Sequence, residues 1–380
     1  MGALYASSGP FASSSTPQFH GLQFWVHQVN AKGGVFVKAY GKRIPVKLVA
    51  YDDQSKTSLA GTLYSQLITR DHVHLLASDF GSVLTSVAVP LAREHKTLLF
   101  DVTGTSAGFF TPDNPYVVLT SLPTSGVWPT TLANFVVAQH MRRVAILYST
   151  NDFDGSQAKT LRTKLAAAGI HPVFDQGVPS GTSNYTVLIH QIMASKADSV
   201  FEFGYPNNDI AFLQGIMASG MHFPMVFTVF PGQLLKLMEK NVGPEGLAWT
   251  YTYPTPPLLV HKNINYGPTA GEFLKEYQQQ NHREVNFLTI AGYNAGLIMQ
   301  KTLETSTSLD PLAMRRAIAG FSGKLRTIDG MFRVNADGAQ IGETLPVGQI
   351  QPMHGKLGMQ IVFPSAVSTA KARYPAPKGL

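Results

Sequence analysis

The stretch from residue 75 to residue 106 places the strongest limit on the fold. Two short apolar runs, Leu75–Ala77 and Leu98–Phe100, have the length and composition of buried parallel strands. Between them, Val83–His95 carries apolar residues at roughly helical spacing. The stretch therefore predicts a βαβ unit. Similar alternation before and after it predicts a doubly wound α/β sheet.

Small hydroxyl residues and glycines follow both predicted strands. Ser82 lies in the first loop, and Thr103 and Thr105 flank Gly104 in the second. Ligands of open parallel sheets bind outside the carboxyl ends of the strands, so we expect both loops at one crevice. Hydroxyls and neighbouring N–H groups there hold a carboxylate, and Gly104 allows close approach of the backbone. The same hydroxyls also serve as helix caps and turn formers, and the sequence leaves both interpretations open.

Length and charge narrow the class of protein. At 380 residues the chain is too long for one ordinary core, so two lobes are expected. An apolar fraction of 44% with 14% charged residues suits a well-packed α/β protein. The net charge of +7 comes from scattered Lys and Arg rather than a basic stripe. This pattern argues against nucleic acid as a partner and favours a modest attraction for anionic solutes.

Several site classes lack their sequence signals. The chain has no cysteine, no G-x-G-x-x-G and no Walker sequence, and its histidines are dispersed. We therefore expect no disulfide, no nucleotide cofactor and no metal. No apolar run reaches the length of a membrane span. No signal peptide precedes the first predicted strand, so for an exported protein Met1 is expected to follow a removed leader.

Three pauses in the βα rhythm predict crossings between the lobes. Lobe 1 is expected to contain residues 1–121 and 252–328, lobe 2 residues 122–251 and 329–365, and residues 366–380 form a C-terminal tail. Three crossings between two sheets predict a hinge. The predicted fold is α/β, with two doubly wound parallel-sheet lobes joined by a three-segment hinge. Late apolar runs predict antiparallel edge strands at Met331–Val334, Val347–Gln351 and Met359–Val362.

Short segments along nearly the whole chain carry a family resemblance. They are Ser8-Gly9-Pro10, Val29-Asn30-Ala31-Lys32-Gly33-Gly34, Tyr51-Asp52-Asp53-Gln54, Gly81-Ser82, Val102-Thr103-Gly104-Thr105-Ser106 and Phe203-Gly204-Tyr205. In order and spacing they are similar to the type I periplasmic solute-binding proteins. The branched-chain amino acid binding proteins that serve ABC importers match in particular.

The resemblance implies a binding protein rather than an enzyme. It implies that Ser82, Thr103 and Thr105 receive the carboxylate of a small ligand captured between the lobes. Phe153 falls in the loop after the first strand of lobe 2, where the family places an aromatic over the ligand. Tyr205 falls on a tyrosine that closes from the other side. A periplasmic or extracytoplasmic monomer that delivers its ligand to ABC permease membrane subunits is implied as well.

A departure from the family pattern at residues 228–232 leaves the ligand open. Where amino-acid binders place an acid against the ligand ammonium, this chain has residues 228–232, Thr-Val-Phe-Pro-Gly. An ammonium buried without a counter-charge is strongly disfavoured. Either Glu202, Asp101 or Asp79 substitutes, or the ligand lacks an amino group.

A ligand without an amino group would suit the aromatic residues near the predicted strand ends. Phe80, Phe153, Tyr205 and Phe230 would then line a pocket for an aromatic or branched aliphatic acid. Ordinary core packing is the alternative interpretation of these rings, Phe230 above all. A ligand-sensing receptor domain of the same fold is equally consistent with the chain.

Residues 104–108, Gly-Thr-Ser-Ala-Gly, match the G-x-S-x-G elbow of serine hydrolases. That elbow needs a strand before the serine and a helix after it. Pro112 and Pro115 follow closely and disfavour an immediate helix. A hydrolase is therefore the remote alternative.

Overall fold

The computed structural model describes residues 1–353 and 355–379, and it divides into two compact units. Unit 1 contains residues 1–124 and 260–343, and unit 2 contains residues 125–259 and the chain from 344 onward. Each unit is built on its own mainly parallel sheet with helices. The predicted α/β class with two parallel-sheet lobes is confirmed, and the chain passes from one unit to the other three times.

The observed boundaries differ from the predicted ones most clearly at residues 329–343. The sequence assigned this segment to lobe 2, whereas the structure places it in unit 1. Asp329 accepts a hydrogen bond from the Ser121 hydroxyl at 2.6 Å, and Gly338 O accepts one from Leu119 N–H at 3.0 Å. These contacts join the segment to the last strand of the unit 1 sheet. The predicted tail, residues 366–380, falls in unit 2.

The strands of the described residues are short, and most are buried. In chain order they are β1 (Gly2–Tyr5), β2 (Val35–Val37), β3 (Lys42–Ile44), β4 (Val49–Asp52), β5 (Leu76–Ala77), β6 (Leu99–Asp101), β7 (Val117–Leu119), β8 (Val144–Ser149), β9 (Phe174–Val178), β10 (Ser199–Phe203), β11 (Val226–Phe227), β12 (Tyr251–Thr252), β13 (Leu325–Thr327), β14 (Gly330–Phe332), β15 (Val347–Met353) and β16 (Lys356–Phe363).

Both main sheets have the strand order of open, doubly wound folds. The unit 1 sheet runs β4-β1-β5-β6-β7, and all its pairings are parallel. The unit 2 sheet runs β16-β15-β12-β11-β10-β8-β9, parallel from β12 to β9 and antiparallel at β15 and β16. Two of the predicted edge strands are thereby confirmed. The third is wrong, because residues 330–332 pair with β13 in a separate hairpin of unit 1.

Helices connect the strands and cover the sheets. In chain order they are α1 (Ala12–Ala31), α2 (Thr57–Thr69), α3 (Gly81–Thr85), α4 (Ala88–Glu94), α5 (Pro129–Ala138), α6 (Asp152–Ala167), α7 (Thr186–Ala194), α8 (Pro206–Ser219), α9 (Leu235–Val242), α10 (Pro244–Leu247), α11 (Ala270–Asn281), α12 (Phe287–Thr305) and α13 (Pro311–Phe321).

The single helix predicted for Val83–His95 is wrong, because the segment forms two short helices, α3 and α4. Pro90 lies four residues after Ser86, where the first helix has ended. A proline cannot donate to the carbonyl four residues earlier, and its ring crowds that carbonyl. The predicted βαβ unit is otherwise present, since β5 and β6 pair in parallel on either side of these helices.

The helix α1 is held against α12 closely enough to position its polar side chains. A Cβ atom on Gly21 would lie 1.9 Å from Thr289 O, and one on Gly292 would lie 1.9 Å from Gln18 O. Only glycine allows this approach of the two backbones. The packing directs Ser15 and Gln18 of α1 toward the loops after β5 and β6, where both form hydrogen bonds.

Candidate functional site

The loops after β5 and β6 in unit 1 contact each other through the residues that the sequence singled out. Gly81 N–H donates to Thr103 Oγ1 at 3.0 Å. Ser106 N–H donates to Ser82 Oγ at 3.1 Å. An accepting hydroxyl still has its own proton to donate, so Ser82 retains a donor. The structure therefore brings the predicted carboxylate-binding loops together, and Thr105 is buried in the same loop.

The Thr103 hydroxyl is already used within unit 1. It donates to Gln18 Oε1 at 2.6 Å while accepting from Gly81 N–H. A hydroxyl has one proton, so the Thr103 side chain has none left for a ligand carboxylate in this arrangement. Gln18 also donates from Nε2 to Ser78 O at 3.1 Å. Sequence reasoning missed Gln18, which lies 85 residues from Thr103 on the first helix.

Gly104 is required by packing against Asp101. Its N–H donates to Asp101 Oδ1 at 2.6 Å, and the Ser78 hydroxyl donates to the same oxygen at 3.0 Å. A Cβ atom at position 104 would lie 2.7 Å from both Asp101 carboxyl oxygens and 2.8 Å from Thr85 Cβ. Burial raises the pKa of Asp101 to about 7. The sequence predicted a glycine here for close approach to a ligand. In the structure, the close approach of the Gly104 backbone to Asp101 and Thr85 is itself a reason for glycine.

A second carboxyl group supports the loop after β5. Asp79 accepts hydrogen bonds from the Ser15 hydroxyl and from Phe80 N–H, the latter at 2.6 Å. Burial raises the pKa of Asp79, and the neighbouring Asp53 carboxyl adds to the effect. Burial also raises the pKa of Asp53, to about 6. Two acids this close share a proton, so Asp79 does not offer the full negative charge that a ligand ammonium needs.

In unit 2, three of the predicted aromatic residues lie together. The ring centroids of Phe153 and Tyr205 are 5.2 Å apart, those of Phe153 and Phe230 6.4 Å, and those of Tyr205 and Phe230 6.1 Å. All three side chains are buried. Such spacings are typical of favourable tilted or offset aromatic pairs. The structure thus brings together three of the four aromatic residues singled out from the sequence, and their contact with a ligand stays a prediction.

The local positions of these residues differ from expectation. Phe153 lies in the first turn of α6 rather than in a loop, because Asn151 caps the helix by accepting from Asp154 N–H at 3.0 Å. Tyr205 precedes α8, and its N–H donates to the Asn208 side chain at 3.1 Å. Phe230 begins a short 3-10 helix. Two helix starts and one turn therefore hold the three rings.

A fourth ring joins this group, and the sequence did not single it out. Trp128 packs edge-on against Phe153 with centroids 5.3 Å apart and against Tyr253 at 5.8 Å. Trp128 lies immediately before Pro129 at the start of α5. In the sequence it cannot be distinguished from an ordinary apolar residue of a helix. We call Trp128, Phe153, Tyr205 and Phe230 the ring cluster. Phe80 belongs to unit 1, where its ring lies 6.3 Å from that of Phe11.

The remaining predicted ammonium partner, Glu202, is in the interior of unit 2. Its side chain has no exposed surface, and burial raises its pKa well above the ordinary value, with Asp209 and Asp154 as further causes. Burial therefore favours the protonated form of this carboxyl group over the charged form. Asp79, Asp101 and Glu202 are thus all buried with raised pKa values, and none is a ready counter-ion.

The hydrolase elbow is not formed. Ser106 is buried, and its N–H is bonded to Ser82. After it comes one turn of 3-10 helix, Ala107–Phe109, rather than the α-helix that the elbow requires. This agrees with the effect expected from Pro112 and Pro115.

Within residues 1–353 and 355–379, no group of three or more His, Asp or Glu side chains is arranged to hold a metal ion. Within the same ranges no helix combines the length and the apolar character that crossing a membrane requires.

Comparisons with known proteins place the chain in a family. A family model described as "Periplasmic binding protein" matches residues 1–373. Leu/Ile/Val-binding protein homolog 7 of Brucella abortus is 23% identical over 390 residues, covering 99% of this chain and 94% of the relative. Proteins of this kind are solute-binding proteins rather than enzymes, which confirms the expectation of a binding protein.

Solved structures agree in fold. The substrate-binding protein LivJ of Streptococcus pneumoniae, in complex with isoleucine, has a TM-score of 0.79 and 18% identity over 96% of this chain and 99% of its own. A solute-binding protein of an ABC transporter from Rhodopseudomonas palustris, in complex with 3,4-dihydroxybenzoic acid, has a TM-score of 0.78 and 18% identity, covering 98% and 97%. The chain is a member of the periplasmic binding protein family, of type I, whose members include the substrate-binding proteins of ABC transporters.

Proposed function

We propose that this protein is the extracytoplasmic solute-binding component of an ABC transporter and that its ligand is a small aromatic carboxylate. Membership of the periplasmic binding protein family supports the general role. The complex of the Rhodopseudomonas palustris protein with an aromatic acid supports the ligand class by analogy. Delivery to permease membrane subunits by a monomeric protein is part of the proposal.

The ring cluster is the observation that carries the ligand class. Four aromatic side chains of unit 2 pack at centroid distances of 5.2 to 6.4 Å. Two of them, Phe153 and Tyr205, are at positions where the family resemblance implies ligand contact. Flat aromatic rings recognise another ring by stacking and edge contacts. The nearby carboxyl groups are buried and hold protons, so they do not neutralise an ammonium. We therefore propose that the ring cluster contacts a ligand that has a ring and lacks an amino group.

The polar groups proposed to bind the ligand carboxylate belong to unit 1. Ser82 and Thr105, with the N–H groups of their loops, would receive the ligand carboxylate through charge-assisted hydrogen bonds. Thr103, whose proton goes to Gln18, would act by holding the two loops together. This changes the role that the resemblance implies for Thr103 and keeps the roles of Ser82 and Thr105.

The mechanism follows from ligand contacts on both units. A ligand shifts a conformational equilibrium only through contacts that it makes better in one state. A change from mostly open to mostly closed requires about 5 kcal/mol of such differential binding. We propose that carboxylate contacts on unit 1 come first, that contacts with the ring cluster supply the differential part, and that the permease recognises the liganded form.

Branched-chain amino acids are the second candidate ligands. The Brucella abortus relative is named for Leu, Ile and Val, and the Streptococcus pneumoniae structure contains isoleucine. An amino acid would need a counter-charge for its ammonium, which would have to come from ionisation of a buried acid. This requirement is the reason to rank amino acids second.

Isothermal titration calorimetry with paired ligands tests the proposal. Benzoate and 4-hydroxybenzoate should bind, whereas benzamide, which keeps the ring and lacks the charge, should bind far more weakly. Leucine and isoleucine should show little heat under the same conditions. Ser82→Ala should weaken benzoate binding, and Ser86→Ala, an exposed serine of the same region, is the matched control. Tight leucine binding with no response to benzoate would replace the first candidate with the second.

A further inference from the structure

Three carboxyl groups meet in the interior of unit 2, beside the ring cluster. Asp154 lies on α6, Glu202 on β10 and Asp209 on α8, and each side chain has no exposed surface. The Glu202 and Asp209 carboxyl groups are within hydrogen-bonding distance of each other, and Asp154 is close enough to repel them. We call these three groups the carboxyl cluster. The carboxylate-binding proposal for unit 1 assigns them no role.

Two acids of the carboxyl cluster are connected to the backbone of a residue in the ring cluster. Asp209 Oδ2 accepts from Phe230 N–H at 2.6 Å. Asp154 directly follows Phe153, and its Oδ2 accepts from the Asn151 side chain at 2.7 Å, across the helix start. The carboxyl cluster is therefore linked to the backbone of Phe230 by a hydrogen bond and to that of Phe153 by the adjacent position of Asp154 in α6.

The third acid, Glu202, contacts the backbone at Gly204, which precedes Tyr205. A Cβ atom on Gly204 would lie 2.4 Å from Glu202 Oε1 and 2.5 Å from Asn208 Cβ, so the backbone leading to Tyr205 rests on the carboxyl group. The Asn208 side chain then accepts from Tyr205 N–H at 3.1 Å. Displacement of the Glu202 carboxyl would disturb this turn.

The charge state of the cluster follows from its surroundings. The titratable groups that face it are its own three members and Tyr185, which precedes α7. Among the described residues no lysine, arginine or histidine acts on the three acids. Burial raises all three pKa values, that of Asp209 to about 7. Burial therefore favours the protonated forms of all three acids, and Glu202 and Asp209 titrate as a coupled pair.

A proton between Glu202 and Asp209 also satisfies their hydrogen bonding. No amide or hydroxyl donor within the described ranges reaches either Glu202 oxygen. A buried acceptor without a donor is costly, and two adjacent buried charges are far more so. A shared proton lowers both costs, because it cancels one of the two charges and supplies one donor, and its loss restores them in full.

We propose that Asp154, Glu202 and Asp209 are positioning residues that share protons, and that this sharing fixes the ring cluster in its binding arrangement. Ionisation of the cluster then displaces the rings and releases an aromatic ligand. The part of this inference that concerns the ligand rests on the proposed function. The part that concerns the rings does not.

Fluorine NMR of the full chain labelled with 5-fluorotryptophan tests the ring part without any ligand. The chain has three tryptophans, so each resonance is assignable by Trp→Phe substitution. The Trp128 resonance should move as the pH rises from mildly acidic to alkaline, with a midpoint at or above about 7. Trp25 in unit 1 and Trp249, which are outside the ring cluster, should stay in place over the same interval.

Glu202→Gln is the decisive variant. The amide keeps a donor toward Asp209 and cannot lose it as the pH rises, so the Trp128 resonance should become independent of pH. Should this variant fail to fold, Asp209→Asn removes the same shared proton and takes its place. A Trp128 resonance that does not move in the wild-type protein, or that moves identically in the variant, overturns the inference.

Benzoate calorimetry over the same pH interval tests the ligand part. If one proton must be retained for binding, affinity should fall about tenfold for each pH unit above the midpoint. Glu202→Gln should keep its affinity at alkaline pH. Absence of benzoate binding at every pH, together with the expected fluorine shifts, would refute the proposed ligand and leave the positioning role standing. Binding that is equally strong at every pH in the wild-type protein would refute the coupling.

Discussion

Thr103 donates its hydroxyl proton to Gln18 Oε1 at 2.6 Å and thereby joins the loop after β6 to the first helix of unit 1. Thr103 Oγ1 also accepts a hydrogen bond from Gly81 N–H. One side chain therefore connects two loops and a helix. The residue that resemblance would place on the ligand is thus primarily a link between the elements around it.

Thr103→Val should destabilise the protein. Valine keeps the shape of threonine and leaves Gly81 N–H and Gln18 Oε1 without their partner, which should lower the free energy of unfolding by about 1–3 kcal/mol. Urea denaturation measures the change, and Thr103→Ser, which keeps the hydroxyl, is the control. Equal stability of the valine variant and the wild-type protein would contradict the role assigned to Thr103.

Gly104→Ala should also destabilise unit 1. The added methyl group would meet the Asp101 carboxyl oxygens at 2.7 Å and Thr85 Cβ at 2.8 Å, and overpacking of this kind costs about 1–3 kcal/mol. Gly108→Ala is the matched control, because its nearest neighbour would be Ser106 Oγ at 3.8 Å. Thermal unfolding should separate the two variants. If both melt together, the contact with Asp101 is not the reason for the glycine.

Phe230→Leu should weaken benzoate binding more than it weakens the fold. The substitution keeps most of the apolar volume and removes the ring contacts with Tyr205 and Phe153, each worth about 0.5–1.5 kcal/mol. We expect affinity to fall several-fold in calorimetry. Phe212→Leu is the comparison, since Phe212 is a fully buried ring of the unit 2 core that packs on Tyr185. It should lower stability and leave affinity unchanged. If Phe230→Leu instead lowers stability and leaves benzoate affinity unchanged, the ring cluster serves core packing and not ligand binding.

Stability should fall as the pH rises through the range in which Asp101 titrates. Burial raises its pKa from 3.8 to about 7, so between these values the folded protein holds a proton that the unfolded chain releases. The free energy of unfolding therefore declines over that interval, by about 2–4 kcal/mol for this group alone. Asp101→Asn should remove this share of the decline. Unfolding curves of both proteins at several pH values provide the check, and parallel pH profiles would argue against a buried protonated Asp101.

Gln349→Ala should loosen the C-terminal segment. The buried Gln349 side chain accepts from Arg373 N–H at 2.9 Å and donates to Arg373 O at 3.2 Å, so it binds both main-chain groups of that residue. Its loss should cost about 2–3 kcal/mol and speed amide exchange near residue 373. Gln176→Ala on the exposed β9 edge is the control and should change neither measurement. Unchanged exchange in the Gln349 variant would mean that other contacts hold the segment.

Much of the fold could be predicted because it depends on local patterns. Apolar runs at the spacing of buried strands indicated β5 and β6, and their parallel pairing followed from the helical segment between them. The family resemblance singled out Phe153 and Tyr205, and Phe230 was added as an aromatic residue near a predicted strand end; their packing against one another is seen only in the folded unit. The break between α3 and α4 was missed, although Pro90 was the signal that indicated it.

What escaped prediction depends on contacts between distant parts of the chain. Residues 329–343 look like further strands of the second lobe, and only the bonds to Leu119 and Ser121 assign them to unit 1. In the sequence Trp128 resembles any apolar residue, and only the structure shows its edge-on contact with Phe153. Neither relationship leaves a local pattern in the sequence.

The α/β class, the succession of strands and helices, and the small and aromatic residues that follow the strands can all be recognised without the structure. These features arise from side-chain periodicity and backbone preference, which act over a few residues. The folded structure was needed to identify which polar groups are already satisfied, such as Thr103 by Gln18, and which acids have raised pKa values, such as Asp101 and Glu202. Hydrogen bonding and pKa values depend on burial and on partners remote in the chain, and those distances exist only in the folded protein.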